Sequence, residues 1–498
     1  MNIRTHLSAS TVLAALFCAT AVQADVTADQ VWQDWKSYYV QMGQTITAGS
    51  ESREGDTLVV KDVKFTTTMP DATSEGTIAE VRLKEIGDGT VELTLSPEIP
   101  VLIRKTPAEG PVSDISIMLT HSDAKALVSG TADSMHYTFS ATDVGLSMDE
   151  VKVDGSAAPL KMQITANGNH GTYHSEKTAG HSVRSDFSAD SVDFAVAGAD
   201  QESGGTFNLS GKLNGLSGAG LVTMPDGATM DDMNAALQAG LSMDGSFGYS
   251  DGNYKIEGAG TDGNFTADSM GGAGKLTFKM SRDGLAYGGE STDSKMALSG
   301  TSMPFPVEAT VGQSAFNLTM PVSKSDTAHP ASLLIKIVDL GISDSLWGMF
   351  DPMAQLPHDP ATLVLDLSGS IRPLINLFDA KEAEAAASEQ TSPFEVSEAK
   401  INELHLKAVG ADLTGTGAVT LDNSATPPKP LGAVDLNLSG ANKLMDNLVA
   451  MGLVPEDQMM GMRMMMGMFA VPAGEDALTS RIEFRDDGGI YANGQRIQ

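Results

Sequence analysis

Three histidines, His170, His174 and His181, fall in one stretch, NHGTYHSEKTAGH. Imidazole nitrogens ligate zinc or copper, so the group is a candidate metal site. A four-residue gap brings two rings together only on a helix, however. Gly168, Gly171 and Gly180 predict a loop, so a solvated hairpin tip is the plainer expectation. A second concentration is sulfur: Met459, Met460, Met462, Met464, Met465, Met466 and Met468. Thioethers are soft ligands for Cu(I). They are also unbranched fillers of irregular apolar gaps, and Met459, Met462, Met466 and Phe469 recur at helical spacing. That stripe predicts core packing or an adaptable apolar surface, with copper as the alternative.

Catalytic signatures occur only in fragments. Gly258-Ala259-Gly260-Thr261-Asp262-Gly263 fits GxGxxG, but no helix follows to hold a pyrophosphate, and a glycine-rich turn is expected. Two SxxK strings, Ser122 to Lys125 and Ser397 to Lys400, lack the companion motifs of penicillin-recognising enzymes. His405 lies between Leu404 and Leu406, on the polar face of a strand. No catalytic residue, no enzyme activity and no cofactor are expected.

The elements that would carry these residues are mostly strands. An opening helix is predicted by the capping-box spacing of Thr27 and Gln30 and by the stripe Val31, Trp35, Tyr38 and Met42. From about Thr45 to Pro321 apolar residues alternate with polar ones, as in Val91, Leu93 and Leu95; Met135, Tyr137 and Phe139; Val192, Phe194 and Val196. This is the pattern of antiparallel strands with one apolar face. Asp88-Gly89, Asp251-Gly252 and Asp283-Gly284 mark turns, and a short helix interrupts over 231–240. The remainder reads as helices over 332–340 and 343–350, a strand over 362–368 and a short helix over 374–378. An Ala/Glu linker over 380–393 and a hairpin over 401–421 come next. A helix pair over 442–469, restarted at Pro455, leads into a final hairpin over 480–497. The expected fold is mainly β: long curved antiparallel sheets of hairpin meanders, an N-terminal helix, and a few short helices concentrated in the C-terminal third. The expected regions are 25–325 and 326–498.

Composition narrows the partners. Sixty-four Asp+Glu against 32 Lys+Arg give a net charge of −32 over 498 residues. Nucleic acid is excluded, because phosphate binding needs clustered cations. Electrostatic docking on an anionic leaflet is disfavoured likewise. The start of the chain reads as a secretory leader: Arg4, the apolar run TVLAALFCATA, and small residues at Val22 and Ala24 before Asp25. Cleavage between Ala24 and Asp25 would remove Cys18, the one cysteine, and with it any thiol chemistry. A periplasmic monomer without a transmembrane span is the expectation. Eight Tyr and three Trp are too few for the aromatic girdles of an outer-membrane barrel.

Several phrases carry a family likeness: VWQDWKSYYVQMGQTITAGSESREGDTLVVKDV, PVSKSDTAHPASLLIKIVDLGISDSLWGMFDP, LMDNLVAMGLVPEDQMMGMRMMMGMFA and GGIYANGQRIQ. The chain resembles an uncharacterised family of exported proteins from alphaproteobacteria of the Rhodobacter group, known only as a domain of unknown function. More distantly, its C-terminal element order is similar to the AsmA-like superfamily. That likeness implies curved antiparallel sheets whose apolar concave face holds acyl chains, in proteins of the Gram-negative envelope. Lipid or another apolar ligand on a curved sheet is therefore the leading expectation. The alternative is a closed structural or interaction protein of the envelope, partnered by another envelope protein and lacking a groove. An open apolar groove discriminates the two.

Overall fold

The computed structural model describes residues 25–498 except 42, 70, 179, 201–202, 230–231, 262 and 426. The leader, with Ala24 and Cys18, lies outside the described residues, as does Met42 of the opening stripe. Among the described residues twenty-eight strands form one sheet in which every ladder is antiparallel. Helix α1 (Ala28–Gln41) begins at the capping box: Thr27 N–H donates to Gln30 Oε1 at 2.9 Å, and Gln30 N–H to Thr27 Oγ1 at 3.3 Å. Five further helices follow: α2 (Met233–Ala239), α3 (Asp344–Phe350), α4 (Ala380–Glu389), α5 (Ala441–Ala450) and α6 (Glu456–Phe469).

The topology is a meander of long strands, each paired with the next. Thr57–Met69 pairs with Ala72–Glu85, and the series continues through Ser134–Val153, Leu160–Thr178, Gly180–Ala199 and Thr206–Met224. Some rungs are broken into collinear halves. Ser113–Ser122 and Lys125–Thr131 both pair with Ser134–Val153. Ser242–Tyr249 and Asp251–Gly260 both pair with Thr206–Met224. Asp251-Gly252 is therefore a strand start beside a mid-rung break, where sequence spacing had marked a hairpin turn.

These breaks line up across the sheet. Asp62, Asp123, Gly168, Gly215, Asp293 and Asp339 all have φ between 51° and 64°. Each sits where its ladder skips a pair, as between Lys61↔Glu80 and Val63↔Ile78, or between Leu216↔Ala189 and Asn214↔Ser191. Left-handed φ is open to Gly and tolerated by Asp, whose short carboxylate bonds locally. One residue taken out of the pleat reverses the alternation, because a one-residue step exchanges the two faces. Val60 and Val63 accordingly share one core, as do Ile78 and Val81. Along the other strands the apolar positions change parity at the same line: Met135, Tyr137 and Phe139 give way to Val144, Leu146 and Met148. Both halves of each strand thus keep their apolar residues on one face.

The main core lies under α1. Val31 and Trp32 are buried against Leu58, Val60, Leu83, Leu93, Val128 and Met135, with Trp35 packed alongside. A smaller core gathers Ala236 and Leu237 of α2 with Met224, Leu241 and Met280. Asp232 caps α2 by accepting from Ala235 N–H, and Gly240 closes it in the left-handed region.

Four expectations need correction. Residues 332–340 form part of strand His329–Ile342 rather than a helix. The run SLLIKIVDL also alternates Leu333, Ile335 and Ile337, and pairing with both neighbouring strands decides in favour of sheet. Residues 374–378 form turns, not a helix. The Ala/Glu stretch is helix α4 instead of a linker, capped by the Asp379 carboxylate on Lys381 and Glu382 N–H; alanine's helix propensity outweighs its low complexity. Pro455 is the N-cap of α6, one position before the first helical residue.

Candidate functional site

Residues paired across an antiparallel ladder point to the same face. Following the register from strand to strand therefore traces what that face presents. One file begins Leu58–Leu83–Leu93–Ala126–Phe139–Gly171–Phe187–Gly218–Phe247. It continues Leu276–Gly289–Phe316–Ile335–Leu365–Leu404–Gly415–Leu436–Ser480. Only the last member is polar. A parallel file two residues away contains Ile337, Leu363, Leu406, Leu413, Leu438 and Leu478. The file is covered at both ends. Helix α1 buries Leu58, Leu83 and Leu93, while Leu436 and Ser480 lie beneath α6. Its middle is open: Phe187, Leu276, Phe316 and Ile335 are exposed.

Glycines make the aromatic members lie down. A Cβ at Gly171 would overlap the ring of Phe139, one at Gly218 the ring of Phe187, and one at Gly274 the ring of Tyr249. Phe65 over Gly76, Phe265 over Gly258 and Phe316 beside Gly289 repeat the arrangement. Each ring covers backbone that its cross-strand glycine leaves bare, the same device that rescues glycines in designed sheets. Beside these pairs a groove of about 1260 Å³ is lined by Phe139, Phe187, Phe247 and Tyr249 together with hydroxyls such as Ser140, Thr172, Ser217 and Ser246. Pockets that bury drug-sized ligands measure roughly 300–1,000 Å³, and this groove is larger than those. A recess of about 850 Å³ adjoins it through Ser140 and His170 and carries Glu92, Asp123, Lys125 and Asp190.

The methionine stripe divides between core and cavity. Met459 is buried, whereas Met462, Met466 and Phe469 line a 490 Å³ cavity with Leu413, Leu436, Leu438, Leu478 and Ile482. Phe469 O accepts from Ser480 Oγ at 2.6 Å, which holds the end of α6 against the sheet.

The histidines are not on a loop. His170 and His174 lie in strand Leu160–Thr178 and His181 in Gly180–Ala199. His174 Nε2 is 3.0 Å from Ser134 Oγ and its ring meets that of His136, while His181 Nε2 is 2.8 Å from Ser175 Oγ, against Tyr38. His174 and His181 are thus engaged separately, His170 borders the groove and the recess, and no group of three metal-ligating side chains occurs among the described residues. Burial holds the His181 imidazole below its usual pKa. His405 pairs with Asp412 at 3.2 Å. The GxGxxG glycines form a hairpin end, Gly260 facing Gly263.

Sequence reasoning passed over one buried charge. Asp34 of α1 is 3% exposed; Lys177 Nζ lies 2.6 Å from its Oδ1, and Tyr137 O–H donates to Oδ2 at 3.2 Å. Burial first, then the Asp34 charge, raises the Tyr137 phenol well above its ordinary pKa. Tyr173 is raised by burial and by its neighbour Tyr38. The group sits on the main core rather than in a cleft, so it clasps α1 to the sheet. Its only sequence signal was an aspartate on the apolar side of an amphipathic helix.

No helix among the described residues is long and apolar enough to cross a membrane. The profile of a bacterial family described as "uncharacterized protein conserved in bacteria" (DUF2125) matches residues 225–497, more than half of the chain. The chain belongs to this family. The DUF2125 match begins just after strand Thr206–Met224 and takes in α2 to α6, including the cavity beneath α6. No curated protein matches the chain.

Proposed function

We propose that this protein is a non-enzymatic component of the bacterial cell envelope, exported to the periplasm, that binds lipid or another apolar ligand along the open middle of its sheet. The observation that carries this reading is the uncapped apolar file between α1 and α6. Exposed contiguous apolar surface costs free energy in water, roughly 25 cal/mol for each Å² left uncovered, and large patches of this kind mark binding surfaces. The groove beside it supports the open form over a closed structural protein. Its mixed lining of rings and hydroxyls suits an amphiphile better than a pure hydrocarbon. The AsmA-like element order of the C-terminal part is part of the same proposal.

The test is mass spectrometry of organic extracts from protein purified from the periplasm without detergent. Stoichiometric phospholipid or fatty acid is the expected result. A clean extract that stays clean after incubation with lipid vesicles would favour the closed structural protein instead.

A further inference from the structure

The strand ends that carry α3, α5 and α6 present an unusual surface. On α6, Met460, Met464 and Met468 recur at every fourth position and are 63%, 69% and 60% exposed. Cβ atoms at Gly461 and Gly467 would meet nothing within 4 Å. Leu453, between α5 and α6, and Met349, Phe350 and Met353 around the end of α3 are exposed too. Asn447 Nδ2 of α5 donates to Gln355 O at 2.8 Å, which fixes the segment after α3 against the helix pair. Asp351 reinforces it by accepting from Gln355 and Leu356 N–H at 2.8 and 2.6 Å. The patch is therefore held by two elements and is not a frayed tip.

Charge is almost absent from it. Between Gln458 and Ala470 only Arg463 is charged, and its guanidinium is taken by Asp446 of α5. Over 344–353 and 441–470, Lys443 and Arg463 against Asp344, Asp351, Asp446, Glu456 and Asp457 leave a net −3, in a chain of −32, and Asp351 is buried. Membrane-surface helices that bind anionic lipid carry basic polar faces; this one has none, and the rest of the molecule would be repelled by an anionic leaflet. The opposite side of α6 bears Met462, Met466 and Phe469 on the apolar cavity over the file. The helix is thus apolar both outward and inward.

We propose that the α3/α5–α6 end docks into the surface of a lipid bilayer poor in anionic lipid, with Met460, Met464 and Met468 entering the acyl-chain boundary. Flexible thioethers pack well against such a disordered partner. Where the groove reading also holds, α6 joins bilayer and file, its outer face in lipid and its inner face on the ligand path.

Vesicle flotation tests the docking on the whole chain. Wild-type protein is expected to float with phosphatidylcholine vesicles, and less as phosphatidylglycerol replaces phosphatidylcholine. The triple variant Met460→Asp, Met464→Asp, Met468→Asp should float at least about tenfold less, with an unchanged circular-dichroism melt because all three side chains are exposed. Phe187→Asp, in the open part of the file, should float like wild type even if it retains no ligand, so docking and groove fail separately. Wild type remaining at the bottom of the gradient, a triple variant floating fully, or flotation rising with phosphatidylglycerol would each overturn the proposal. So would failure to float by a wild-type dimer that the triple variant converts to monomer, since the patch would then join two copies.

Discussion

Lys177→Met should loosen α1 from the sheet more than any exposed ion-pair change. The Asp34 carboxylate is 3% exposed, and its neighbours are one ammonium and one phenol. Removing the partner of a buried charge costs about 3–5 kcal/mol, mostly because the other charge is left uncompensated. Lys177 is itself about one-third exposed, so water already screens the pair and a loss of about 2–3 kcal/mol is the better figure. Since every 1.4 kcal/mol is a factor of ten, amides of α1 should exchange roughly 30- to 140-fold faster. Hydrogen-exchange mass spectrometry on the peptide spanning 28–41 reads this directly, with strand Ala411–Asp422 as an internal reference. Asp34→Asn should cost less, because Asn still accepts from Tyr137 and the freed lysine reaches water. The double variant should then be better protected than Lys177→Met alone. Unchanged α1 protection in Lys177→Met, or costs that simply add in the double variant, would show that the clasp carries no coupling.

Further expectations concern titration, packing and ligand. Burial depresses the His181 pKa below its unfolded value near 6.5. A lowered basic pKa means that the unfolded chain takes up the proton first, so stability should fall as pH drops below about 6.5; a urea midpoint series in which His181→Gln flattens that fall checks it. Gly218→Val puts a side chain into the ring of Phe187 and should destabilise by about 1–3 kcal/mol. Adding Phe187→Ala should recover part of this, as read by thermal melts. Met462→Asp with Met466→Asp places two carboxylates in the 490 Å³ cavity and should abolish retention of bound lipid in a folded protein, measured by extraction. Full retention would remove α6 from the ligand path.

Local signals read well wherever one element decided its own conformation. The Thr27–Gln30 box and the alternation at 91–95 and 135–139 sit as expected, because caps and pleats are written in neighbouring residues. Residues 332–340 misled because their short apolar run suits helix and strand alike, and only the partners at 307–320 and 361–373 settle it. The same limit hid the file. Phe187 and Gly218 look unrelated in sequence, and register alone brings the ring over the glycine. The methionine stripe was visible as a helix face, but not that its inner side meets a cavity while Met460, Met464 and Met468 stay in water.

The line of left-handed Asp and Gly residues gives the sheet a property of scale. The strands from Thr57–Met69 to His329–Ile342 change parity at the same level, so adding or losing a whole hairpin there leaves the apolar face unbroken. Hairpin number then works as a ruler. Between the two covered ends, from Phe139 to Gly415, the file takes eleven ladder steps, which at about 4.8 Å each is about 53 Å along the sheet. The whole hydrocarbon core of a bilayer is only about 30 Å thick. A track of that length would accommodate more than one acyl chain in succession, and occupancy would be a matter of loading along a line rather than of one pocket filled or empty.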